Sequence, residues 1–176
     1  MAYPRIALVS LLLLVAACIL PAPAESKTDT ASVIAKFKEK DPGLAKIFDE
    51  AHGYAVYPTV GKGAFGIGGA HGKGEVFERG VLIGTSTLSQ LTIGFQFGGQ
   101  AYSEVIFFKD KTALDDFKRG NFELNAQVSA IALTERASRD LAYNRGVAIV
   151  TMGKGGLMYE ASVGGQKFSF KPLKSK

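Results

Sequence analysis

The sequence predicts an α+β domain: a Gly-rich, twisted antiparallel sheet or partial barrel packed against an N-terminal helix, with one further short helix. Three observations carry this. An apolar stripe at helical spacing, Val33, Ile34, Phe37, Leu44, Ile47, Phe48 and Ala51, marks residues 30–51. Alternation with period two recurs further on, as in Leu91, Ile93, Phe95 and Phe97 set against Thr92, Gly94, Gln96 and Gly98. All 21 glycines lie between Gly43 and Gly165 without a three-residue period, which excludes collagen and suits bulges and bends inside strands.

The first residues read as an export signal. Arg5 supplies a positive start, and Ile6 to Ala17 is apolar except for Ser10. That run is too short for a bilayer span of about 20 residues. Two processing sites follow. Ala22-Pro23-Ala24 is a small-x-small cleavage site, giving a signal peptide over 1–24. Val15-Ala16-Ala17-Cys18 is a lipobox pattern, giving a leader over 1–17 and a lipidated Cys18. Either way the protein is expected to be exported, periplasmic or lipid-anchored in the cell envelope, and 25–176 forms a single domain. Cys18 is the sole cysteine, so the domain after it has no thiol or disulfide and depends on its core.

The N-terminal helix is interrupted at Asp41-Pro42, where Asp41 can cap a second helix with Pro42 at its first position, and Gly53 ends it. A further helix is Lys111–Arg119, with Asp110 as cap, Leu114 and Phe117 on one face and Gly120 as stop. Val105–Phe108 and Val147–Val150 are short continuous apolar runs, the pattern of central strands. Leu157, Tyr159, Ala161 and Val163 alternate, and Gly164-Gly165 signals a hairpin. After it, Phe168 and Phe170 face one way and Lys167, Ser169 and Lys171 the other.

The segment Gly53 to Phe65 reappears in outline as Gly146 to Leu157, provided one residue near Pro58 is skipped. Both copies read as strand, Gly-Lys-Gly turn, strand. An ancient duplication and a chance likeness of Gly-rich hairpins both account for a match this short.

Little in the chain suggests chemistry. There are two histidines, one cysteine and no tryptophan, so no metal or other cofactor is expected. Gly61-Lys62-Gly63-Ala64-Phe65-Gly66 has the spacing of a dinucleotide fingerprint, but Ile67-Gly68-Gly69-Ala70-His71-Gly72 cannot start the helix that a pyrophosphate needs. His52 reads as a helix-end residue and His71 as part of a glycine turn. Asp115 and Asp116 are adjacent on a helix and do not face each other. No Gly-x-Ser-x-Gly elbow occurs. The expectation is a protein that is not an enzyme.

Charge is modestly basic, 21 Lys and Arg against 16 Asp and Glu, with six basic residues and one acid from Arg145 to Lys176. Nucleic acid is not expected, because these residues are not interleaved with exposed aromatics. An anionic lipid or membrane surface is the expected partner, bound through Lys62, Lys154, Lys167 and Lys171. A solvated basic surface is the alternative reading of the same lysines.

From Ala51-His52-Gly53-Tyr54-Ala55-Val56-Tyr57-Pro58-Thr59-Val60-Gly61-Lys62-Gly63-Ala64-Phe65, the chain resembles the SYLF-domain family, described as lipid-binding or actin-binding domains. The likeness continues through Gln96 to Phe108 and Gly120-Asn121-Phe122-Glu123-Leu124, and ends at Gly153 to Val163. The resemblance implies a non-enzymatic module. It also implies membrane binding, partly through an N-terminal amphipathic helix, and actin binding in some intracellular relatives. The resulting expectation is a lipid-surface binding module of the bacterial envelope. Two alternatives are a small hydrophobic-ligand carrier with an interior site and an outer-membrane β-barrel.

Overall fold

The computed structural model describes residues 28–65, 67–91, 100–120, 130–154 and 165–174. The segment read as an export signal, with Cys18, the alternating segment 92–98, the Gly120–Leu124 match beyond Gly120, and the run 157–163 lie outside the described residues. Among the described residues, seven strands form one sheet: β1 Gly53–Phe65, β2 Ile67–Glu78, β3 Val81–Leu91, β4 Gln100–Phe108, β5 Ala130–Ala132, β6 Val147–Lys154 and β7 Gln166–Pro172. Four described helices accompany them: α1 Thr28–Lys40, α2 Gly43–Glu50, α3 Lys111–Lys118 and the short α4 Ala137–Asp140. Strand order is β5-β6-β4-β1-β2-β3-β7, antiparallel throughout except for the β5–β6 pair. The expected α+β class is therefore observed, with a mixed sheet that is not closed.

Local signals explain the helices. Asp41 stops α1 and its Oδ1 accepts the Gly43 amide at 2.9 Å, so it caps the turn opened by Pro42. In α3, Asp110 Oδ1 accepts the Ala113 amide at 3.0 Å, and Gly120 follows at φ +72, a conformation open to glycine. The helix α4 has no counterpart in the sequence reading.

Two cores occupy the two faces of the sheet. On the outer face, Val33 and Phe37 of α1 and Leu44 and Phe48 of α2 bury against Tyr54, Val56, Val105, Phe107, Ala148 and Val150. Phe48 sets its edge against Tyr54 and Phe107, with centroids 5.0 and 4.8 Å apart. The N-terminal apolar stripe is thus spent on covering β1, β4 and β6. On the inner face, Leu114 and Phe117 of α3 meet Ile106, Phe108, Leu88 and Phe168. β4 and β6 are buried on both sides, as their continuous apolar runs require.

The sheet curls around the inner core. Gln166 on the edge strand β7 reaches Tyr102 and Glu104 on β4, although β1, β2 and β3 lie between them in the sheet. Phe168 likewise meets Tyr57 of β1 at 5.8 Å and Phe117 of α3 at 5.4 Å. This is a partial barrel with α3 packed inside the opening. Glycine makes one close approach possible. A Cβ at Gly84 would stand 2.4 Å from both the Lys171 carbonyl oxygen and the Phe170 ring.

Candidate functional site

Register brings two of the four expected lysines into one row. Lys154 pairs with Ala101, Ala101 with Gly61, Gly61 with His71, His71 with Ser89, and Ser89 with Lys167. Apart from the partly buried Ala101, this row is exposed. The row one residue along contains Tyr102, Val60, Gly72, Leu88 and Phe168, all buried in the inner core. Alternation across a pleat therefore assigns Lys154 and Lys167 to the outer face. The next outer row holds Thr59, Lys73, Thr87 and Ser169. Beyond it Glu75, Thr85 and Lys171 pair in turn.

Helices α1 and α2 cover the outer face over β1, β4 and β6. Over β2, β3 and β7 it is polar, carrying His71, Lys73, Lys167 and Lys171 with Ser and Thr between them. Lys154 Nζ donates to Thr59 Oγ1 at 2.6 Å, which lays the ammonium over the sheet. Lys62 stands one residue beyond the row in register, paired with Ala70 and Gln100.

Gly61-Lys62-Gly63 is strand and not the turn its composition predicts. β1 runs unbroken through Gly61, Lys62 and Gly63, which pair with His71, Ala70 and Gly69. The chain reverses only after Phe65. The skipped residue at Pro58 has a physical form: register shifts between Tyr57 and Val60, a β-bulge on β1 opposite β4. The two copies, β1 and β6, both flank β4, but Gly53 stands level with Val147 rather than Gly146. That offset of one residue separates Lys62 from Lys154. After residues 61–66 the chain continues as strand β2 and not as a helix, so the dinucleotide reading fails on geometry.

His71 stands within β2, not in a turn. His52 follows α2, and its Nε2 lies 3.1 Å from Glu78 Oε1. Asp115 is held down to about 2 by hydrogen bonds from Lys111 and Lys118, and Asp116 pairs with Arg119 at 2.8 Å. Both are surface ion pairs on α3 with little energetic weight. Among the described residues there is no group of three or more His, Cys, Asp or Glu placed to hold a metal, and no helix long and apolar enough to cross a membrane.

A cluster of buried polar side chains inside the curl was missed by the sequence reading. Gln166 Nε2 donates to Glu104 Oε2 at 3.0 Å and to Tyr102 Oη at 3.2 Å. Tyr57 Oη and Ser86 Oγ are 2.7 Å apart. Glu104, Gln166, Tyr57 and Tyr102 have no exposed surface. Burial, then the Glu104 carboxylate, raises the Tyr102 phenol. Burial also raises Tyr57 well above its ordinary range, against the opposing Ser86 bond. These groups tie β7 to β4 and fill the interior where an apolar ligand would sit. Only the polar oddity of Glu104 at the head of the apolar run Val105–Phe108 could have flagged them.

Fold and surface together define a half-curled α+β domain with a filled interior and a polar, lysine-bearing outer face. The Ysc84 family model, described as Las17-binding protein actin regulator, matches residues 89–172, from the end of β3 through β7. Beta cell expansion factor A of Aeromonas veronii is 31% identical over 153 residues, which is 80% of this chain and 53% of that protein. The chain thus spans about half the length of that relative. Residues 89–172 therefore carry a match to the Ysc84 family, the SYLF-domain family that the sequence resembles. That family is associated with lipid- or actin-related binding.

Proposed function

We propose that the protein is a non-enzymatic module that binds anionic lipid surfaces in the bacterial cell envelope. In this reading it is exported and is either cleaved after Ala24 or anchored through Cys18. The observation that carries it is the shared outer row of Lys154 and Lys167, with Lys73 and Lys171 on the same face. Across five strand spacings of about 4.8 Å, that row measures about 24 Å along the sheet. Because the sheet curls, a flat surface meets this face along the β2, β3 and β7 side, where Lys73, Lys167 and Lys171 stand. Each lysine near such a surface contributes about 1 kcal/mol, screened by salt.

Lipid is favoured over actin because an exported chain does not meet actin in its own cell. An interior carrier is disfavoured by Tyr57, Tyr102, Phe108, Phe117 and Phe168, which fill the curl. An outer-membrane barrel is disfavoured by helices on the outer face, where lipid would have to sit.

The test is co-sedimentation with anionic and neutral vesicles at low and high salt. The triple variant Lys154→Gln, Lys167→Gln, Lys171→Gln should lose most anionic binding, and Lys62→Gln should lose less. Equal binding by the wild type and the triple variant, or indifference to salt and lipid charge, refutes the assignment.

A further inference from the structure

The opposite end of β1 carries a second feature that the lysine face does not use. A cavity of about 360 Å³ lies there, lined by Asp49, Glu50, Ala51, His52, Arg79 and Lys109. The backbone fixes its walls. The Arg79 amide donates to the His52 carbonyl at 3.0 Å, and the Lys109 amide donates to the Gly146 carbonyl at 2.8 Å. Arg79 and Arg145 are the described non-glycine residues with positive φ, at 48° and 50°, and each precedes a glycine in a turn at this end. Such positions suit Asn, Asp or Gly. At Arg79 this sets a long cationic side chain on the cavity wall at a conformational cost.

The cations at this end are not neutralised by the acids beside them. Among the described residues, Arg79, Lys109 and Arg145 form no ion pair within 4 Å. The nearby acids are engaged elsewhere: Glu78 with His52 and Lys118, Glu50 with Lys46, and Asp110 with the first turn of α3. Asp49 remains, beside the C-terminal turn of α2, whose carbonyls favour a positive group. One wall therefore attracts an anion and the other an amine.

We propose that this cavity is a binding site for a small zwitterion of the phosphoethanolamine class. Its phosphate lies between Arg79 and Lys109, and its ammonium lies against Asp49 and the end of α2. Arginine and lysine are suited to a phosphate held at a solvent-open rim, through charge-assisted bonds. The same chemistry occurs as a free phosphomonoester and as a lipid headgroup. This site is separate from the lysine rows, so its failure and theirs are distinguishable.

The experiment is calorimetric titration of the purified protein with O-phosphoethanolamine and with inorganic phosphate. Phosphoethanolamine should saturate and bind more tightly than phosphate. Lys109→Gln and Arg79→Gly should each weaken both by roughly tenfold, the worth of a charge-assisted bond. Asp49→Asn should reduce phosphoethanolamine to the level of phosphate. Arg79→Gly should at the same time raise the melting temperature, since glycine takes the turn without strain. Floating vesicles with and without phosphatidylethanolamine then separates the sources: retention of wild type but not Lys109→Gln assigns the headgroup, and binding of the soluble probe alone assigns the free form. Absence of saturable binding to either form, or equal binding by wild type and the Arg79 and Lys109 variants, overturns the proposal.

Discussion

Asp41 and Ser138 are 97 residues apart in sequence, and the Asp41 carboxylate accepts both the Ser138 amide at 2.6 Å and the Ser138 hydroxyl at 3.0 Å. The same carboxylate caps α2 through Gly43. One buried side chain thus breaks the N-terminal helix in two and locks the break onto α4. Helices α1 and α2 can cover the outer core only at the angle this junction sets.

Asp41→Ala is expected to destabilise the fold by about 2–4 kcal/mol, because it leaves the Ser138 and Gly43 amides without their charged acceptor. Chemical denaturation checks it. Burial pushes the Asp41 carboxyl up, but the Ser138 amide and hydroxyl, the Gly43 amide and Arg139 together outweigh it and hold the group below its ordinary value. A depressed folded value means the stabilisation is complete above about pH 4, where an unfolded aspartate is ionised, and is lost as pH falls through the lower folded value. Asp41→Asn should remove that acid-sensitive part of the stability curve.

Much of this junction was legible in sequence, because capping and helix breaking act over three or four residues. Asp41-Pro42, Asp110 and Gly120 do where they stand what their chemistry predicts. The strands β4 and β6 were legible because burial on both faces leaves an unbroken apolar run. Even the β1 bulge left a trace, as the residue near Pro58 that has no counterpart in β6. The rest depended on partners far away. Gly61-Lys62-Gly63 has the composition of a turn, yet pairing on both sides holds it straight. His71 followed it into the same error. Glu104 reads as a surface residue until Gln166 is brought across the curl, 62 positions later. The charge excess was legible, but the register that sets Lys154 and Lys167 in one row and Lys62 one residue beyond it was not.

Gln166→Leu is expected to cost about 2–4 kcal/mol, although leucine fills a similar volume. The loss leaves the Glu104 carboxylate and the Tyr102 hydroxyl inside the curl without the amide that bridges them. The loosening should be greatest at β7, the edge strand that this contact ties to β4. Hydrogen exchange should therefore speed up in Gln166–Pro172 more than in Val105–Phe108. Uniform acceleration across both strands would show that the contact carries no separate role in holding the edge.

Alkaline pH should unfold the protein through Tyr57 and Tyr102. Burial raises both phenols, so the folded state keeps their protons at a pH where an unfolded chain releases them. Their contribution is fully present below about pH 10, the value of a free tyrosine, and is lost as pH rises above it toward the folded values. Phenolate absorbance from these two side chains should appear together with loss of structure. Tyr102→Phe should move the alkaline midpoint upward relative to its own stability at neutral pH.

Gly84→Val should be among the most damaging single changes in the sheet. Its Cβ would meet the Lys171 carbonyl and the Phe170 ring at 2.4 Å, and backbone on β7 cannot retreat without breaking the β3–β7 ladder. Overpacking of this kind costs about 1–3 kcal/mol or more. A thermal melt compares it with Gly61→Ala, whose Cβ would meet nothing within 4 Å and should be close to neutral.

Glu75 offers a test of the lysine face that gains binding instead of losing it. It stands half-buried in the outer row with the exposed Thr85 and Lys171, two positions along β2 from Lys73. An anionic surface approaching Lys73, Lys167 and Lys171 must also approach this carboxylate. Glu75→Gln removes the repulsion without adding a cation or altering the shape of the strand. Affinity for anionic vesicles should rise several-fold, equivalent to about 1 kcal/mol for one charge near the membrane. Binding to neutral vesicles should not change. Raising salt from low to about 1 M, where the screening length falls to about 3 Å, should bring wild type and variant together. A gain that survives high salt would point to a conformational effect, and no gain at low salt would mean that the lipid surface meets the protein somewhere other than the rows around Lys167.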